Sequence, residues 1–246
     1  MLYFGPDHLR ALAGIAPCFT LVESATGYGD WGTPAEPYQV PKDLAIALGE
    51  HLAAAGIDIA MAPDLRLDHG FGQSTHDLFG SLSAVPLIPI VINCVDRPIA
   101  TAARTAALGT ATGSFLRSQV PADDRVLVIG SGGISHAPPS LVPGARDLTE
   151  AQRQKLITDN IARAAVAVNP EWDRQFLTQL GSDDWSDLAD LTAEDLLPAG
   201  TGGAEVRTWI AAAFAAGTPL STVVYEPVTE WITGMGIAAS ASLNAT

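Results

Sequence analysis

Positive charge, cysteine and long apolar runs are all scarce in this chain, and each scarcity narrows what it can do. Lysine and arginine number 13 against 27 aspartates and glutamates, a formal net charge of -14. Nucleic acids and anionic membrane surfaces are recognised by clustered basic residues, so neither is expected as a partner. The two cysteines, Cys18 and Cys94, show no metal-ligand or redox spacing and build no disulfide framework. They suit a reducing compartment, and a cytoplasmic protein is expected. The most apolar stretch, Ala84 to Val95, is interrupted by Pro86 and Pro89 and falls short of the roughly 20 residues that span a bilayer. At the start, Asp7 and His8 come early and no basic region precedes an apolar one, which argues against a signal peptide.

Familiar phosphate and nucleophile signatures are missing too. Gly130-Ser131-Gly132-Gly133 is not G-x-G-x-x-G, because Ser135 stands at the third glycine position, and no lysine follows a glycine run. A nucleophile elbow needs G-x-S-x-G. Ile129 removes Ser131 from that pattern, and Ala137 removes Ser135.

What remains is apolar and alternating. Hydrophobic residues make up 48% of the 246, enough for the core of one α/β domain. Short β-branched or apolar runs at Leu2–Phe4, Pro17–Glu23, Ile57–Ala62, Val85–Asn93 and Val126–Ile129 read as strands. Helical stretches separate several of them. Pro41 to Ala55 places Leu44, Leu48 and Leu52 on one face, with Gly56 to stop it, and Ile99 to Ser118 is rich in alanine. Gly27 to Pro41 reads as a long ordered loop, and Asp77 to Leu82 as a short helical turn. The second half is mainly helical, with segments at Thr149–Val168, Glu171–Leu180, Asp184–Leu191 and Glu205–Ala216, then one last strand at Val223–Tyr225. The pattern predicts a single α/β domain over residues 1–246, with a mostly parallel central sheet flanked by helices and a helical C-terminal half.

Of five histidines, three share one context. His8 follows Gly-Pro-Asp, His69 lies in Leu-Asp-His-Gly, and His136 ends Gly-Gly-Ile-Ser-His. Each stands near glycine where a strand gives way to a loop, the edge on which open α/β sheets place their sites. Three gathered imidazoles suggest proton transfer, a metal, or both. His51 lies inside the Pro41 helix, and His76 beside the short helical turn. A carboxylate is expected to complete the group. Glu230, set among Pro227, Trp231, Gly234 and Gly236, is the best candidate, since a carboxylate in apolar company usually has a partner.

Seven segments, in order, resemble the class III extradiol ring-cleavage dioxygenases of the subunit-B-like superfamily, with 2,3-dihydroxyphenylpropionate and catechol-type enzymes the nearest in look. They are Phe4–His8, Asp68–Gln73, Val85–Asn93, Gly130–His136, Asn169–Asp173, Arg207–Ala211 and Pro227–Gly236. The resemblance implies extradiol (meta) cleavage of a catechol-type aromatic diol with O2 on non-haem Fe(II). His8 and Glu230 are then iron ligands, and His69 and His136 an acid/base pair. It also implies a homo-oligomer, and a further strand ending in Ser-His that would supply the other iron histidine. The chain begins at what looks like the family's second strand, so that first strand is expected to be lacking. Two other readings stay open on the same scaffold: a metal-independent hydrolase or lyase using His69 and His136, and a non-catalytic subunit of a two-subunit dioxygenase. Arg174 or Arg207 could offer a counter-charge to an anionic substrate, and Leu9 shapes the pocket beside His8.

Overall fold

The computed structural model describes residues 1–12, 14–141 and 145–240, the side chain of residue 146 excepted. Two strands form its centre: β1 (Leu2–Pro6) and β6 (Ile88–Ile92), every residue of both buried. Strands covered on both faces read as continuous apolar runs, and their alternation shows in what each side chain touches. Leu2, Phe4, Ile88, Ile90 and Ile92 enter one apolar cluster, whereas Tyr3 and Val91 enter another on the opposite face.

The sheet has the order β4-β2-β6-β1-β7, with β2 at Phe19–Val22, β4 at Ala60–Ala62 and β7 at Val128–Gly130. β1 runs parallel to β6 and β7, and β2 parallel to β4, while β2 is antiparallel to β6. The reversal follows from the connection between β1 and β2. Its described residues form no helix that could carry a crossover back along the sheet. The chain therefore stays at the carboxyl edge and re-enters there, pairing Phe19 with Ile92. His8, Leu9 and Arg10 are left on that edge.

Helices cover the sheet. α1 (Lys42–Ala54), α3 (Ala102–Gln119) and α7 (Val206–Ala216) share a cluster with β1, β2 and β6. α7 is buried almost throughout, and its Val206, Trp209, Ile210 and Ala213 face a second cluster with α5 (Pro170–Leu180) and α6 (Ser186–Asp190). α4 (Glu150–Ala165) opens with a capping box between Thr149 and Gln152. No helix of the described residues is long and apolar enough to cross a membrane.

Two elements differ from the sequence expectation. The helical turn placed at Asp77–Leu82 is a full helix, α2, running from His69 to Phe79. Asp68 caps it by accepting from Gly70 N, so the helix begins at the histidine itself. A two-stranded sheet, β3 (Ala25–Gly27) with β5 (Leu65–Leu67), leads into it. The single last strand is a hairpin: β8 (Leu220–Val228) and β9 (Thr233–Ser240), turning at Thr229–Trp231. It stands largely exposed, which is why its apolar alternation is weak.

Candidate functional site

His8 lies two residues beyond β1, and its main chain and ring are gripped by one carboxylate. Asp68 Oδ2 accepts from His8 N at 3.1 Å, and Asp68 Oδ1 pairs with His8 Nδ1 at 3.0 Å. Since a carboxylate only accepts, Nδ1 carries the proton and the ring offers Nε2 to whatever lies ahead. Asp68 is itself buried, with a side chain 1% exposed.

Ahead of His8 Nε2 lies Glu205. It closes the tight helical turn Thr201–Glu205 just before α7. Its Oε2 accepts from Gly133 N at 3.0 Å. Its Oε1 stands 3.3 Å from His8 Nε2 and 3.2 Å from His136 Nε2. Neither approach has hydrogen-bond geometry, so this buried oxygen is left without a bonded proton. Two imidazole nitrogens and one carboxylate oxygen thus converge on one buried place.

His136 reaches it from the turn after β7. Its N donates to Ala199 O at 2.8 Å, its O accepts from Gly202 N at 2.9 Å, and its Nδ1 sits 3.2 Å from Ile134 O. The turn is anchored one residue earlier. Ser135 N and Oγ donate to Asp173 at 2.9 and 2.8 Å, Tyr225 Oη donates to the same carboxylate at 2.7 Å, and Asn169 N donates to Ser135 Oγ at 2.7 Å. Ser135 is therefore a structural strut rather than a nucleophile. Glycine is required at two contacts here. A Cβ at Gly202 would overlap the His136 ring, and Gly132, at φ +129°, packs against Glu205.

His69 completes the group from the start of α2. Its ring stacks on His8 at 4.3 Å between centroids and 15° between planes. Its Nδ1 donates to Asp30 Oδ2 at 2.7 Å, an oxygen that also receives Arg10 Nη1 at 2.5 Å.

The charges set one another. Burial opposes the His8 imidazolium, but the Asp68 and Glu205 carboxylates outweigh it and hold His8 well above its ordinary value of 6.5. Burial also works against the Asp68 carboxylate, yet His8, His69 and the Gly70 N–H pull its pKa down to about 2. Glu205 is likewise held below the usual carboxylate range, by His136 and His8 against burial.

Two donor sets could hold a metal. His8, Asp68 and His69 have ligand atoms within 4.8 Å of one another. However, both Asp68 oxygens already accept hydrogen bonds, and His8 shows Asp68 its protonated nitrogen. The other set is His8 Nε2 and Glu205 Oε1, with His136 Nε2 beside them. Here two ring nitrogens face a buried carboxylate oxygen that makes no hydrogen bond, and a cation would take the place of the positive charge that His8 now carries. A cation fits this second place.

The structure brings His8, His69 and His136 together as the sequence suggested, and it leaves Glu230 out. Glu230 is exposed at the tip of the β8–β9 hairpin, where its recorded bond is from Thr229 Oγ1 at 3.4 Å. The correction is physical: the hairpin points its turn outward, while Glu205 is buried by the turn that packs on His136. The same reasoning that favoured Glu230, a carboxylate in glycine-rich apolar company, applies equally to Gly202-Gly203-Ala204-Glu205-Val206. Asp30 and Asp68 were also missed; Asp68, adjacent to His69, was the more visible of the two. His51 packs near Phe115 at 5.5 Å, and His76 lies on the exposed side of α2.

Comparison with known proteins matches residues 2–236 to the family described as the catalytic LigB subunit of aromatic ring-opening dioxygenase. Similar curated proteins carry the name 2,3-dihydroxyphenylpropionate/2,3-dihydroxicinnamic acid 1,2-dioxygenase. That of Rhodococcus jostii (strain RHA1) is 35% identical over 272 residues, covering 99% of this chain and 85% of the relative. That of Cupriavidus necator is 37% identical over 260 residues, covering 95% and 82%. That of Azotobacter vinelandii is 34% identical over 267 residues, covering 98% and 85%.

Proposed function

The chain belongs to the family of catalytic LigB subunits of aromatic ring-opening dioxygenases, and on that premise we propose that it cleaves a catechol-type aromatic diol with O2 in the extradiol sense, using Fe(II). The observation that carries this reading is the buried Glu205 Oε1, which makes no hydrogen bond and stands 3.3 and 3.2 Å from two imidazole nitrogens. Imidazole nitrogen with carboxylate oxygen is the donor chemistry of non-haem Fe(II) sites that keep open positions. His8 Nε2 and Glu205 supply two of its donors. Bound there, Fe(II) would furnish the redox chemistry that lets O2 react with the ring.

The chain's own residues do the rest. Asp68 holds His8 in one tautomer and aims its Nε2, the outer partner that metal-binding histidines ordinarily have. His69, with its Nδ1–H hydrogen-bonded to Asp30, keeps Nε2 as an acceptor for a substrate hydroxyl proton. His136 presents Nε2 to the same Glu205 oxygen and exchanges a proton with the reacting oxygen atoms. All three rings are mostly buried, which limits water around the proton steps. The substrate class that the relatives' names point to is a 2,3-dihydroxyphenyl compound bearing a carboxylate side chain. The cytoplasm is its proposed compartment and a homo-oligomer its proposed assembly.

The test is O2 uptake by protein loaded anaerobically with Fe(II). Stoichiometric uptake with 2,3-dihydroxyphenylpropionate or a simple catechol, yielding a ring-opened product, supports the reading. No uptake with any catechol by protein that has bound iron overturns it.

A further inference from the structure

Beside the site lies a second concavity that the proton and metal chemistry does not use. It has a volume of about 250 Å³, and residues next to His8 form one wall. Leu9, Leu12 and Leu148 give it an apolar part, Tyr28 adds an aromatic surface, and charged side chains complete the lining. Leu9 is in the left-handed region at φ 64°, a conformation uncommon for leucine. The chain thereby turns sharply between His8, which serves the site, and Arg10, which lines the cavity.

Two arginines line the same cavity, and they differ. Arg10 is already committed, since its Nη1 bonds Asp30, the residue that holds His69. Arg153 is 5% exposed, in the first turn of α4. Its Nη2 donates to Ala145 O at 2.9 Å, and its Nη1 has no hydrogen-bond partner. A buried guanidinium with an empty donor is costly to keep. Among the described residues, the carboxylate within its reach is Glu150, whose Oε2 stands 3.9 Å from Arg153 Nε and whose Oε1 stands 3.4 Å from Arg10 Nη2. Glu150 is 66% exposed, so its hold on either arginine is weak and water competes for it.

We infer that this cavity receives the side-chain carboxylate of the substrate, with Arg153 as its counter-charge. The inference rests on the ring-cleavage reading and specifies which diols that reaction accepts. An incoming carboxylate gives Arg153 the acceptor it lacks, and the three leucines take the alkyl chain that joins carboxylate to ring. Glu150 swings out to solvent as the anion enters. Arg153 is thus a specificity residue, with no part in the proton steps. Neither arginine singled out from the sequence fills this role. Arg207 gives its Nε to Ala100 O and its Nη1 to Ala204 O, and Arg174 lies over the Tyr225 ring.

The experiment compares wild type, Arg153→Gln and Glu150→Gln on 2,3-dihydroxyphenylpropionate and on uncharged 3-methylcatechol, with thermal melts of each protein. Loss of a charge-assisted contact raises KM for the carboxylate substrate roughly tenfold to a hundredfold. With Arg153→Gln, kcat/KM on 3-methylcatechol stays within about twofold, since no reacting group is touched. Glu150→Gln, which removes the competing anion, lowers KM for the carboxylate substrate instead. Equal losses on both substrates, or an unchanged KM in both variants, overturn the inference. Calorimetric titration with phenylpropionate, which has no diol to cleave, separates this from the parent reading. If wild type cleaves neither catechol but binds phenylpropionate in an Arg153-dependent way, the carboxylate pocket stands and ring cleavage falls. If wild type does not bind phenylpropionate, the pocket assignment falls.

Discussion

Asp68→Asn is the most informative single change to the support of the site. The native carboxylate makes three hydrogen bonds: to His8 N at 3.1 Å, His8 Nδ1 at 3.0 Å and Gly70 N at 2.9 Å. Asparagine is as good an N-cap as aspartate, so the start of α2 survives and the loss is confined to the charged contact with His8. The sign follows from the two shifts. Asp68 is depressed from 3.8 to about 2, so its contribution is present above the ordinary value and disappears as pH falls through the folded one. His8 is raised above 6.5, so its contribution is complete below 6.5 and disappears as pH rises through its folded value. The pair therefore stabilises most between about pH 4 and 6.5. The Asp68 depression is worth about 2 kcal/mol, or roughly 4 to 8 °C in Tm for a chain of this size. Urea melts of the metal-free protein across pH 3 to 9 read it out. A deficit in Asp68→Asn of about 2 kcal/mol at pH 5.5, shrinking toward both ends, is the expected profile. A deficit below about 0.5 kcal/mol at pH 5.5, or one that is flat in pH, refutes the coupling. In the iron-loaded protein the same variant should bind metal about ten- to a hundredfold more weakly, as loss of an outer partner does.

Further outcomes follow from the neighbouring contacts. Asp173→Ala strips the acceptor from Ser135 N, Ser135 Oγ and Tyr225 Oη at a buried position; it should cost about 3 to 5 kcal/mol by urea melt, and a loss under 1 kcal/mol would show that the His136 turn does not depend on it. Asp30→Asn leaves His69 without the anion that fixes its tautomer; kcat should fall roughly tenfold to a hundredfold with KM little changed, whereas an unaltered kcat would remove His69 from the proton steps.

The sequence shows the scaffold of this site better than its members. His8 and His136 are legible because each follows a short apolar strand and a turn containing glycine, which are local features, and the parallel pairing of β1 with β7 carries both strand ends to one edge. His69 is legible as a residue of interest, but its setting is not. The cap by Asp68 starts α2 at His69, and the small β3–β5 sheet that leads into it pairs segments far apart in the chain. The identity of the carboxylate is not legible at all from local pattern. Glu205 and Glu230 both lie among glycines and apolar residues. What separates them is long-range: hydrogen bonds from Gly202 N to His136 O and from His136 N to Ala199 O draw the Glu205 turn inward, while the hairpin leaves Glu230 in solvent. The antiparallel β2 is hidden for a related reason. It depends on a connection after β1 whose described residues form no helix.

The central claim is that His8 and Glu205, rather than Glu230, hold the metal, with His136 beside it as a proton-transfer group. Iron content after anaerobic Fe(II) loading and desalting tests this directly in His8→Gln, Glu205→Gln, His136→Gln and Glu230→Gln, each first shown to be folded by circular dichroism. The account predicts that His8→Gln and Glu205→Gln lose iron. His136→Gln should keep iron and lose turnover, and Glu230→Gln should keep both. Iron retained by Glu205→Gln and lost by Glu230→Gln would contradict it.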